Sequence, residues 1–81
     1  MTEQEVIKKF EKLGYEYKKI KEYPDIIYLI NDANEPKQLL SIKINTKVKK
    51  YLKVWGDLRI EPFTVEEHQL LTELFKCWEW I

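Results

Sequence analysis

At 81 residues the chain has room for one domain of modest core and none for a second. Three Trp, five Tyr and three Phe bury much area with few residues, and 44% hydrophobic against 35% charged residues excludes a disordered segment. The formal charge is zero but segregated: residues 36–60 carry seven Lys/Arg against the one acid Asp57, while residues 1–35 are net −2 and residues 61–81 net −4. Such a polarised surface speaks to partners more than to folding.

The opening MTEQEVIKKF places acids where a secretory signal has its positive region, and no apolar run approaches the roughly 18 residues of a membrane span. The expectation is a soluble cytoplasmic protein with no targeting segment and no membrane contact. The lone cysteine, Cys77, cannot close an internal disulfide and fits a reducing compartment.

Thr2 and Glu5 have capping-box spacing ahead of an apolar stripe at Val6, Ile7, Phe10 and Leu13, and Gly14 follows as a left-handed cap. This predicts a helix of about three turns whose Lys8, Lys9, Glu11 and Lys12 face solvent. Tyr15 and Tyr17 alternate with Glu16 and Lys18, a first strand that ends at the break Tyr23-Pro24-Asp25. Ile26 to Ile30 is apolar throughout and calls for cover on both faces. Asn31 to Pro36 is a turn. Read as a calcium loop from Asp32, it puts Pro36 fifth and Lys43 twelfth, where a bidentate Glu is required, so the turn reading wins.

Leu40, Ile42 and Ile44 alternate with Ser41, Lys43 and Asn45, a tight connection follows at Asn45 to Lys47, and Tyr51 to Trp55 is the next strand. There Leu52 and Val54 point one way, Tyr51, Lys53 and Trp55 the other. Gly56-Asp57 ends it, with a short extension at Leu58 to Ile60. Thr64 and Glu67 repeat the capping-box spacing, and Leu70, Leu71, Leu74, Phe75, Cys77 and Trp78 form the stripe of a last helix. The reading is an α+β domain spanning residues 1–81: an N-terminal helix, a three- to four-stranded antiparallel meander, and a C-terminal helix packed on the sheet.

No constellation of catalytic or metal-ligating residues accompanies this layout. His68 and Cys77 lie nine residues apart on one helix, about 13 Å along its axis and half a turn out of phase, so they make no nucleophilic pair. One His and one Cys are too few for a zinc site. Glu66 and Glu73, roughly 10 Å apart, have the spacing of paired-carboxylate hydrolases, but so do most solvated helices. The expectation is a non-enzyme without metal or cofactor.

What remains is the basic segment 43–59, where Lys43, Lys47, Lys49, Lys50, Lys53 and Arg59 interleave with Tyr51 and Trp55. Lysines on a small sheet also discourage edge-to-edge aggregation. As a contact surface, Tyr51, Lys53 and Trp55 form the centre and Lys49 and Lys50 the rim. A protein partner is the first reading, and single-stranded nucleic acid, with rings for bases and lysines for phosphates, is the second.

From about Lys37 onward, the lysine-rich hairpin, the T-V-E-E-H-Q-L-L helix start and the aromatic end C-W-E-W-I resemble small accessory proteins encoded in phages and prophages of Gram-positive bacteria. Those often finish in L-G-W, where this chain has Cys77-Trp78-Glu79-Trp80. The resemblance implies a non-catalytic inhibitor or modulator of a bacterial host protein, and it transfers no functional residue. A homodimer is also expected if both helices lie on one side of the sheet and leave the second face of Ile26 to Ile30 bare.

Overall fold

Both helices start and stop by the same devices. In the computed structural model, which describes residues 1–32 and 39–81, helix α1 spans Glu3–Lys12 and helix α2 spans Val65–Cys77. The Thr2 hydroxyl accepts the Glu5 N–H at 3.2 Å while the Glu5 carboxylate accepts the Thr2 N–H at 3.1 Å. Thr64 and Glu67 repeat the exchange at 3.1 and 3.0 Å, so each helix has two of its otherwise orphaned donors satisfied.

The C-terminal ends match as well. The N–H groups of Gly14 and Tyr15 bond to the carbonyls of Glu11 and Phe10, both at 3.0 Å, and those of Glu79 and Trp80 bond to Lys76 and Phe75 at 3.0 and 2.9 Å. This is the Schellman pattern, with Gly14 (φ 96°) and Glu79 (φ 60°) in the left-handed position. The hydrophobic contact that accompanies the motif is aromatic in both: Tyr15 lies edge-on to Phe10 at 5.9 Å, and Trp80 stacks on Phe75 at 4.9 Å.

Four strands, β1 (Glu16–Ile20), β2 (Tyr23–Asn31), β3 (Leu40–Asn45) and β4 (Lys50–Trp55), form one open antiparallel sheet in chain order. This is the expected α+β layout. The expected break at Pro24 is not there. The chain turns at residues 21–22, and β2 runs straight through Pro24. Lys19 pairs with Ile27 and Ile20 with Tyr23, so residues 24–26 bulge out of the β1 ladder, and the β3 ladder starts at Ile26. Proline there loses no ladder bond. The β3–β4 turn occupies residues 46–49 and is held by Asn45 Oδ1, which accepts the Lys47 and Val48 N–H groups at 3.0 and 3.2 Å. Of the Leu58 to Ile60 extension, a single bridge between Val54 and Ile60 forms. Residues 33–36 of the expected turn, with the loop comparison built on it, fall outside the described residues.

The register separates two faces. Tyr17, Leu29, Ile42 and Lys53 lie in one row across the sheet, and Lys19, Ile27, Ile44 and Tyr51 in the next, all on one face. Val6 and Phe10 of α1 and Leu70, Leu71, Leu74 and Phe75 of α2 pack against that face in a single core with Tyr15, Ile27, Leu29, Ile42 and Ile44. The helices therefore lie side by side on the same face. The other face carries Ile26, Tyr28 and Ile30 of β2, all half-buried, together with Lys18, Lys43, Lys50 and Leu52; neither helix covers it, although Ser41 and Val54 at its far row are buried, Val54 beside the bridge to Ile60.

The two left-handed residues give the first test. At Gly14 a Cβ would stand 3.0 Å from Asn31 Nδ2 on a backbone with positive φ, so Gly14→Ala should cost about 1–2 kcal/mol. Glu79→Gly removes the same conformational cost and should stabilise by up to ~1 kcal/mol. Urea unfolding of both variants checks the opposite signs.

Candidate functional site

The residues expected to form a contact surface separate into two groups. Tyr51, Lys53 and Trp55 do share a face, but it is the face beneath α2, which corrects the expectation that they form an exposed platform. Lys53 is 5% exposed, and its Nζ donates to Glu67 Oε1 at 2.8 Å and to the Pro62 carbonyl at 3.3 Å. It presents no ammonium to a partner. Tyr51 keeps 40% of its surface, yet its ring packs against Phe75 at 4.9 Å and Phe63 at 5.6 Å. The Trp55 indole N–H donates to Glu61 Oε2 at 2.8 Å, and Arg59 lies over its ring at 5.6 Å.

The reason for this inversion is a buried polar network. Glu67, 5% exposed, accepts Lys53 on one carboxylate oxygen and the Tyr15 hydroxyl on the other at 2.5 Å, while also accepting the Thr64 N–H. Burial by itself would raise the Glu67 carboxyl, but the bonds from Lys53, Tyr15 and Thr64 outweigh it and hold the group below the ordinary value of 4.5. Burial and the adjacent carboxylate push the Tyr15 hydroxyl up, which keeps it a donor. Among the described residues no buried side-chain nitrogen or oxygen lacks a partner, so the network is complete and structural.

Lys49 and Lys50 are exposed where they were expected, at the turn end of β4, and they border the uncovered face. There Ile26, Val48 and Leu52 line a hollow of about 660 Å³ rimmed by Lys43, Lys49 and Lys50. Leu52 is 42% and Val48 55% exposed, and both line the same hollow as the half-buried Ile26. On the same face the Lys43 ammonium stands over the Tyr28 ring, 6.0 Å from its centre. Sequence reasoning named the second face of Ile26 to Ile30 as the one left over if both helices share a side, but it missed Val48 and Leu52. The signal was present in the unbroken apolar run of β2, whose second face neither helix covers among the described residues.

The remaining candidates do not converge. His68 is exposed, and Cys77, expected as a buried hydrophobe, is half-buried with its thiol donating to the Met1 carbonyl at 3.1 Å. Glu66 is exposed and Glu73 pairs with Lys76 at 3.6 Å, both on an open groove between the helices that Lys9 and Lys12 also line. Among the described residues no group of three or more His, Cys, Asp or Glu is placed to hold a metal ion, and no helix is long and apolar enough to cross a membrane. No protein-family model matches the chain, and no curated protein or solved structure does either.

The buried network makes a prediction about stability. Glu67→Gln leaves the Lys53 ammonium without its counter-charge in the interior and should cost about 3–5 kcal/mol. Adding Lys53→Met to that variant removes the stranded charge and should restore part of the loss, a coupling that a double-mutant cycle in urea reads directly. Because the folded-state pKa of Glu67 is depressed, its contribution is present above pH 4.5 and lost as pH falls through the lower folded value. Acid unfolding below pH 4.5 should therefore be less steep in Glu67→Gln than in the parent.

Proposed function

We propose that this protein is a non-catalytic binding domain that docks an acidic protein surface on the uncovered face of its sheet. One observation carries the reading. The face opposite the helices combines a hollow floored by Ile26, Val48 and Leu52 with a lysine rim, and burying such apolar groups against a partner contributes roughly 25 cal/mol per Å² before the costs of association. Lys43, Lys49 and Lys50 would steer and orient an acidic partner. The same charges oppose face-to-face self-association, so a foreign partner fits better than a second copy.

The nucleic-acid reading asked for solvent-facing rings between lysines. Tyr51 packs on Phe75, and the Trp55 indole is bonded to Glu61 beneath Arg59, so neither ring stands free between lysines as that reading required. The layout resemblance to phage and prophage accessory proteins adds the suggestion that the partner is a bacterial host protein whose activity the domain modulates.

Affinity capture from a bacterial lysate tests the proposal if it is run with face-specific variants. Leu52→Glu and Val48→Glu should each weaken capture of the same protein at least about tenfold, as expected for residues at the centre of an interface. Lys8→Glu, on the solvated side of α1, should leave capture unchanged. Capture that is indifferent to Leu52 and Val48, or that nuclease treatment abolishes, would overturn it.

A further inference from the structure

The turn that ends α2 also builds a second recess, on the helix side of the molecule. The Schellman bonds of Glu79 and Trp80 fold the chain back so that the Trp80 indole stacks on Phe75 at an interplanar angle of 20°. Tyr51 approaches Phe75 at 4.9 Å, and Leu71 lies among the same lining residues. The recess holds about 320 Å³, room for one or two fused rings, and the exposed Lys49 and His68 also line it.

We infer that this recess binds a small planar aromatic ring that carries an anionic group. The Tyr51 and Trp80 rings, both packed on the buried Phe75, offer faces and edges for offset stacking, an interaction open to any flat ring. Lys49 would repel a cationic ligand and attract an anionic one. The imidazole of His68 supplies a second polar contact. Lys49 holds a left-handed backbone (φ 56°) at the end of the β3–β4 turn, so its position is set by the turn and not by the recess. The recess shares Lys49 with the rim of the docking surface proposed above, while its rings, Tyr51, Phe75 and Trp80, belong to the covered face, to α2 and to the turn just beyond it.

The test is a titration of the ¹⁵N-labelled protein with adenosine 5′-monophosphate, adenosine and indole-3-acetate, followed at the Trp80 indole N–H and, in every variant, at the backbone amides of Leu71 and Phe75. Both anions should shift that signal saturably, and adenosine should bind more weakly than its monophosphate. Lys49→Asn, which tolerates the left-handed backbone, should weaken the monophosphate about fivefold and leave adenosine unchanged. Trp80→Ala should abolish all three, with Trp80→Phe retaining binding to show that loss is not due to unfolding. Equal affinity for the charged and neutral compounds would overturn the anionic part of the inference. Shifts that do not saturate at millimolar ligand, or that centre on Tyr28 and Leu52, would overturn the site.

Discussion

The ion pair between Lys53 and Glu67 fixes which side of this sheet is inside. A lysine on a strand ordinarily marks the solvated face, and burying one costs several kcal/mol unless a carboxylate and further acceptors meet it. Here the carboxylate comes from the third residue of α2, where it also closes the capping box with Thr64. The same group therefore starts the helix, neutralises the strand lysine and receives Tyr15 from the end of α1. Three elements are tied at one point by residues whose sequence separations are 14 and 52. Once Lys53 faces α2, alternation places Tyr51 and Trp55 beneath the helix layer and Leu52 on the opposite face.

The open face follows from a shortage of chain. Two helices of 10 and 13 residues lie side by side on one face of a four-stranded sheet, and each has its apolar stripe committed there. The apolar side chains at Ile26, Tyr28 and Ile30 remain on the other face, partly sheltered by their cross-strand neighbours Lys18, Ser41, Lys43 and Asn45. The charge segregation of the sequence acquires a location: with Lys53 buried and Arg59 held over Trp55 and paired with Asp57, the exposed basic charge concentrates on Lys47, Lys49 and Lys50 at one end of the sheet, next to the half-buried Lys43.

Much of the fold was legible because local signals agreed. Thr2/Glu5 and Thr64/Glu67 marked both helix starts, Gly14 marked one end, and the alternation of Leu40, Ile42 and Ile44 set the inward face of β3. Glu79 hid the other helix end, since glutamate carries none of the signal that glycine carries at a left-handed cap. Pro24 misled because its tolerance depends on a bulge in the pairing with β1, which no local pattern reveals. The site was less legible for a sharper reason. Tyr51-Leu52-Lys53-Val54-Trp55 has an aromatic-basic face and an aliphatic face, and the ordinary rule sends the aliphatic one inward. Only the long-range partner of Lys53, supplied by Glu67, reverses that choice.

The claim that this reversal leaves the Ile26–Tyr28–Leu52 face bare is tested most directly by solvent paramagnetic relaxation of the methyl signals, using a neutral soluble gadolinium chelate and a dilute sample. The methyl groups of Val48 and Leu52 should be attenuated strongly and those of Ile26 partly, while those of Ile27, Leu29, Ile42 and Ile44 stay protected. Equal protection of both sets would contradict the account, and so would the inverse order, with Ile27 and Ile42 attenuated and Leu52 protected.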